Sequence, residues 1–135
     1  MYQQMIFVNL ATSDLEAAKT FFTKLGYTIN PQFSDDTAAS VVISDTIFLM
    51  LLTEEKYAQF TKKEIVDATR SSEVLLALSA ESREKVDELV GKAVAAGGSV
   101  TGETQDHGFM YGRAFDDLDG HTWEVVWMDP AAVQG

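Results

Sequence analysis

The sequence predicts an α+β fold in which two βαβββ modules form a cupped mixed sheet. Two observations carry this. The order strand, helix, strand, strand, strand occurs twice along 135 residues, with little identity between the copies, which marks a structural repeat. Near the C-terminus, two aromatic and β-branched runs, Phe109–Phe115 and Thr122–Met128, flank the turn-forming cluster Asp116–Gly120, the pattern of a β-hairpin.

In the first module, Met5–Leu10 reads as a strand with Met5, Phe7 and Asn9 on one face and Ile6, Val8 and Leu10 on the other. Ser13-Asp14-Leu15-Glu16 has the Ser-x-x-Glu form of a capping box. Leu15, Ala18, Phe21, Phe22 and Leu25 follow at helical spacing, and Gly26 stops the helix. Tyr27–Phe33, with Pro31 near its end, Ala38–Ile43 and Thr46–Leu52 read as strands, the last two joined by a Ser44-Asp45 turn.

The polar segment 54–72 reads as a linker with a short amphipathic helix, dividing module 1 (about 1–53) from module 2 (about 73–130) within one domain. Module 2 opens with the strand Val74–Ser79. Val86, Leu89, Val90, Ala93 and Val94 then form a helical stripe ending at Gly97-Gly98, and strands follow at Ser99–Glu103, Phe109–Phe115 and Thr122–Met128. Neither module can bury both faces of its sheet alone. The helix-facing residues are expected to be Ile6, Val8, Leu10, Val74, Leu76, Leu78, Val125 and Trp127, leaving the other parity to a cleft.

Composition excludes several function classes. There is no cysteine, which removes disulfides, thiolate metal sites and cysteine nucleophiles together. A net charge of −11 without a Lys/Arg cluster argues against nucleic acid and anionic membranes, both of which need a positive footprint. No run has the length of a membrane-spanning helix and the N-terminus lacks a signal-peptide pattern, so a cytoplasmic protein is expected. No serine or threonine sits in a nucleophile elbow, and Gly97-Gly98 is a helix stop, not a phosphate loop. Asp116, Asp117 and Asp119 lack the twelve-residue pattern of a calcium loop.

Strand alternation places Glu124 on the face opposite Trp123, Val125 and Trp127, among largely apolar neighbours. A carboxylate in such a place is ligated, hydrogen-bonded or protonated. Two readings stand side by side: a group that takes a proton from a substrate carbon or holds a cation, and a leftover hydrogen-bonded structurally. Asn9 could orient a polar group of a ligand or make a structural hydrogen bond across the cleft. Phe7, Leu49, Leu51, Leu75, Ala77, Met110, Gly112, Ala114 and Val126 would outline an apolar pocket around them, unless they simply fill it. Parity puts Arg113, with Tyr111 and Phe115, on the helix side, as an anion clamp at the cleft rim or in a plain ion pair with an acidic residue. His121 reads as a turn-stabilising residue.

The opening Phe7-Val8-Asn9-Leu10-x-x-x-Asp14-Leu15 and the closing Asp117-x-Asp119-Gly120-His121-x-x-Glu124, set in this repeat, resemble the vicinal oxygen chelate superfamily. That group contains glyoxalase I, bleomycin resistance proteins, fosfomycin-resistance enzymes and extradiol dioxygenases. The resemblance covers nearly the whole chain and is closest to bacterial lactoylglutathione-lyase-related proteins. It implies a metal tetrad on inward-facing strand positions, matched here by Phe7, a residue at or next to Leu51, one at or next to Leu75, and Glu124. Phenylalanine and leucine do not ligate Mg, Mn, Fe, Ni or Zn, so no cofactor is expected, and Glu124 is the one position to hold a divalent metal if any binds.

The resemblance also implies a homodimer. The favoured expectation is a small-molecule-binding protein without the standard metal tetrad, taking an apolar or aromatic ligand. The alternatives are a metal-dependent lyase or isomerase of glyoxalase type, with Glu124 as ligand and base, and a dimeric interaction protein with a closed cleft.

Overall fold

The computed structural model describes residues 1–132. Its elements are β1 (Ile6–Thr12), α1 (Leu15–Lys24), β2 (Thr28–Asn30), β3 (Ala38–Val42), β4 (Ile47–Thr53), α2 (Glu54–Tyr57), β5 (Leu75–Ser79), α3 (Arg83–Ala95), β6 (Ser99–Asp106), β7 (Met110–Asp116) and β8 (Thr122–Met128). They form two four-stranded mixed sheets, ordered β1-β4-β3-β2 and β5-β8-β7-β6. In each, the first strand runs parallel to the fourth and the remaining neighbours are antiparallel. This is the α+β repeat expected from the element order. By its contacts the chain divides into two compact units, Met1–Val66 and the remainder from Asp67.

In the first unit α1 is capped by Asp14, whose side chain accepts from Ala17 N–H at 3.0 Å. The cap therefore falls one residue later than the Ser13 capping box would place it. Helical spacing puts Leu15, Ala18, Phe21 and Phe22 on the buried stripe. The sheet residues sharing that core are Leu10 on β1, Ala39 and Val41 on β3, and Leu49 and Leu51 on β4, all nearly inaccessible. Pro31 ends β2 after Asn30, and Pro31–Phe33 form a single 3-10 turn instead of further strand.

In the second unit Ser82 caps α3, its hydroxyl accepting from Lys85 N–H at 3.1 Å. Val86, Val90 and Ala93 bury the helix stripe against Phe115, Trp123 and Val125. Two exposed ion pairs link α3 to the β6–β7 hairpin. Arg83 forms a bidentate contact with Asp106 (2.8 and 2.9 Å), donates to the Gly108 carbonyl and lies over the rings of Tyr111 and Trp127. Asp87 accepts from the Tyr111 hydroxyl at 2.7 Å and from Arg113 at 3.0 Å. Arg113 thus meets an acidic residue on the helix side of the sheet, which accounts for its guanidinium without an anion.

β6 extends three residues beyond its expected end at Glu103, to Asp106. Between Thr101 and Gln105 its register with β7 shifts, and Gly102 adopts a φ of +69°. A strand that accommodates extra residues in this way bends and re-aims its side chains.

Candidate functional site

The register of the second sheet fixes what lies on the face turned away from α3. Glu124 stands between Ala77 of β5 and Ala114 of β7. Leu75, Val126, Gly112 and Met110 occupy the same face one or two pairs away. A concavity of about 340 Å³ opens there, lined by Thr101, Gly102, Glu103, Gln105, Met110, Gly112, Ala114, Glu124 and Val126, with Arg113 also at its wall. Small side chains make this hollow. A Cβ on Gly112 would meet only Val126 Cγ2 at 3.6 Å and the Val125 carbonyl at 3.7 Å, so the glycine floors the space without being forced by a backbone contact.

The Glu124 side chain is half-buried, and its carboxylate has no hydrogen-bond or ion-pair partner among the described residues. Its two cross-strand neighbours are alanines, which offer it neither a donor nor a charge. Leu75, Ala77, Met110, Gly112, Ala114, Val126 and Glu124 are therefore brought together on one face, as strand alternation required. Leu75 and Ala77 remain exposed on β5, an edge strand.

The first unit is arranged differently. Phe7 stacks on Phe48 with ring centroids 5.1 Å apart, and both lie on the face turned away from α1. Asn9 shares that face and donates its amide to the Phe7 carbonyl at 3.2 Å. Leu49 and Leu51 do not line it. β1 and β4 pair in parallel with Val8 beside Leu49 and Leu10 beside Leu51, and both leucines are sealed in the α1 core, 0% and 2% exposed. The expectation that they line a pocket is corrected by one residue of strand parity, which moves a side chain to the other face. Met50, between them, is the residue beside Asn9.

A second hollow, of about 270 Å³, lies in this unit among Asn9, Leu52, Tyr57, Phe60 and Thr61. Tyr57 and Phe60 come from the segment read as a linker, and their aromatic rings in a polar stretch were the signal that could have placed them at a cavity.

The donor set does not fit the metal tetrad that the sequence resemblance implies. On the faces turned away from the helices, β1 offers Phe7 and Asn9, β4 offers Phe48, Met50 and Leu52, β5 offers Leu75 and Ala77, and β8 offers Glu124. One carboxylate, one neutral amide and one thioether are a poor match for a hard divalent cation.

Asp117, Asp119 and His121 form the one cluster of possible metal ligands among the described residues, with ligand atoms within 4.8 Å of one another. Asp117 already has structural partners there. Its Oδ1 accepts from Asp119 N–H and His121 N–H, and its Oδ2 from the Trp123 indole, each at 3.0 Å. Burial pushes the Asp117 carboxyl above the usual carboxylate range, opposed by the neighbouring His121 and these hydrogen bonds. The group closes the β7–β8 turn, where Gly120 at φ +88° packs against the backbone of Ala68 and Thr69. Trp123, which Asp117 holds, is on the face opposite Glu124.

Two βαβββ units, each a four-stranded mixed sheet whose first strand runs parallel to its fourth, define the class of fold. The chain belongs to the glyoxalase/bleomycin resistance protein/dioxygenase superfamily, whose family model matches residues 4–125. A hypothetical protein from S. aureus is 31% identical with a TM-score of 0.77, the match covering 94% of each chain. A glyoxalase-related enzyme from Fulvimarina pelagi is 22% identical over 93% of this chain and 88% of that one, with a TM-score of 0.77. A family enzyme from Burkholderia phytofirmans is 19% identical over 93% and 99%, with a TM-score of 0.76. At those lower identities the likeness is one of fold. No protein among the curated ones matches the chain.

Proposed function

We propose that the protein binds a small apolar or aromatic molecule on the β5-β8-β7-β6 face, with Glu124 as its polar anchor and without the family's metal tetrad. The observation that carries this reading is a carboxylate without a partner, set between Ala77 and Ala114 beside a hollow of about 340 Å³. Its volume is at the lower end of small-molecule sites, and one polar group among apolar walls is their usual makeup. A side chain that only filled a core would have been apolar, or paired.

A homodimer is part of the proposal. β1 and β5 each end a sheet, and their edges expose Met5, Ile6, Phe7, Val74 and Leu75 at 42–58%. Apolar, unpaired strand edges are sites of association, and a second copy supplies the cover. No described helix is long and apolar enough to cross a membrane.

The test combines metal analysis with a neutral probe. Protein purified without chelator or histidine tag is expected to contain no stoichiometric metal, either as wild type or as Glu124→Gln. 4-Phenylbutanol is expected to shift the backbone amide resonances of Ala77, Ala114 and Glu124. Near-stoichiometric metal lost in Glu124→Gln would overturn the metal-free reading in favour of a lyase or isomerase using Glu124 as ligand. Light scattering that gives a monomer at all accessible concentrations would remove the dimer.

A further inference from the structure

We infer that the ligand is an organic cation: an amine or quaternary ammonium group carried on an apolar body and held by Glu124, with Glu103 as a second carboxylate. This rests on the binding reading above and adds the charge of the ligand to it.

The inference starts from the distribution of charge over the strands. Arg113 is the only basic residue in any strand among the described residues. It borders the hollow, but its guanidinium is committed to Asp87 at 3.0 Å on the α3 side. The acidic residues are distributed in the opposite sense. Glu103 and Glu124 both line the hollow, and no lysine or histidine does. Asp116, on the same face as Glu124, accepts from the Thr122 hydroxyl at 2.6 Å. The other polar lining groups, Thr101 and Gln105, are neutral.

Glu103 reaches this wall through the irregular stretch of β6. With Gly102 at φ +69° and the register shifted between Thr101 and Gln105, the strand departs from simple alternation where Glu103 sits. The Gln105 side-chain amide donates to the Glu103 carbonyl at 3.5 Å, across the same bend. Irregularities of this kind occur preferentially beside binding sites, where they redirect a side chain.

The chemistry of occupancy then sets the sign. An apolar body seated over Met110, Ala114 and Val126 displaces water from around Glu124, and a desolvated carboxylate without a counter-charge is costly. A cation restores the lost hydration with an ion pair strengthened by the reduced local dielectric. A neutral hydroxyl restores it in part with one hydrogen bond. An anion adds repulsion from two carboxylates, and the one cation bordering the hollow, Arg113, is already paired with Asp87.

The experiment compares three probes with one body: 4-phenylbutylamine, 4-phenylbutanol and 4-phenylbutyrate, titrated against the full chain by NMR at moderate salt. The amine is expected to bind about tenfold tighter than the alcohol, and the acid weakest of the three. In Glu124→Gln the advantage of amine over alcohol is expected to fall to roughly onefold. In Glu103→Gln it falls by only about two- to threefold, because an exposed charge is screened by solvent. The unfolding midpoint of each variant confirms that it folds. Were Glu124→Gln to unfold, the wild-type order of the three probes would still decide. A preference for the acid, or an amine preference that survives in a folded Glu124→Gln, overturns the cation assignment. If the alcohol shifts the resonances of Ala77 and Ala114 and the amine binds no better, this inference fails and the binding reading stands. If none of the three shifts them, both fail.

Discussion

The two sheets share one topology and differ in what they do with the face their helix leaves free. In the first unit that face carries Phe7, Asn9, Ala11, Phe48, Met50, Leu52, Ser40 and Val42, with no charged residue on any of its strands. Bulk fills much of it: the Phe7 and Phe48 rings stack, and Ala11 and Leu52 are buried beside α2, so that the hollow of about 270 Å³ is left to Asn9, Leu52 and the aromatic residues Tyr57 and Phe60. In the second unit the equivalent face is built of Ala77, Gly112 and Ala114 around Glu124, and a hollow remains. Side-chain volume on the shared topology sets the difference: large aromatic and aliphatic residues on one face, small residues around a carboxylate on the other.

The turns differ in the same way. A single serine serves the β3–β4 connection, where the Ser44 hydroxyl accepts from Thr46 and Ile47 N–H at 3.3 and 3.2 Å. The β7–β8 connection instead depends on a buried carboxylate accepting three hydrogen bonds and on a glycine against foreign backbone.

The largest expected effect tests which face of the first sheet is core. Leu49→Ala should destabilise by about 3 kcal/mol, since the side chain is fully enclosed, whereas Met50→Ala next to it should cost roughly 1 kcal/mol. Chemical denaturation of the two variants measures the difference. Equal costs would mean that β4 does not bury the face its register implies.

Next in size is Gly120→Ala. The added Cβ would lie 2.8 Å from the Ala68 carbonyl and from Thr69 backbone atoms, at a φ of +88°. Overpacking against backbone and the left-handed conformation together should cost about 2–3 kcal/mol. A thermal midpoint equal to wild type would show that the turn is not braced by the 68–69 backbone.

Asp117→Asn should cost about 2 kcal/mol at neutral pH, because an amide cannot satisfy both the two backbone N–H groups and the Trp123 indole. Burial raises the Asp117 carboxyl above its ordinary value, so its ionisation opposes folding. The wild type therefore loses part of its stability as pH rises through the folded-state value, while the variant does not. The gap between the two, followed by denaturation against pH, should narrow as pH rises.

A smaller effect concerns the latch on α3. The Arg83 guanidinium beside Asp106 and the Gly108 N–H hold its carboxyl at about 2, below the ordinary 3.8. Their contribution is complete above about pH 4 and disappears as the pH falls towards 2. Asp106→Asn should flatten that part of the acid limb of the stability profile; an unchanged limb would show that the latch is absent in solution.

The smallest change in stability belongs to Gly112→Ala, within about 0.5 kcal/mol, because its Cβ meets only ordinary contacts. The same methyl enters the floor of the hollow, so 4-phenylbutanol should bind less tightly. A loss of binding without a loss of stability would sharpen the contrast between the two faces.

Much of this was legible in the chain. The repeat of element order came from hydrophobic period and turn residues, and the face of Glu124 followed from alternation in Thr122–Met128. β4 resisted the same reading because Ile47–Thr53 is apolar nearly throughout, leaving no polar residue to mark which parity is core. Tyr57 and Phe60 were hidden in a polar segment for the converse reason. The irregularity of β6 falls in Thr101–Asp106, a polar run whose register depends on its partner strand.

By itself the sequence determined the class of fold and the face of β8 on which Glu124 stands, because each depends on local period. Tertiary structure alone decided that Leu49 and Leu51 belong to the core, that Arg113 is neutralised by Asp87 and that Glu103 shares the hollow with Glu124. Those are facts of register and of contact between distant segments, and a one-residue shift in pairing exchanges the two faces of a strand.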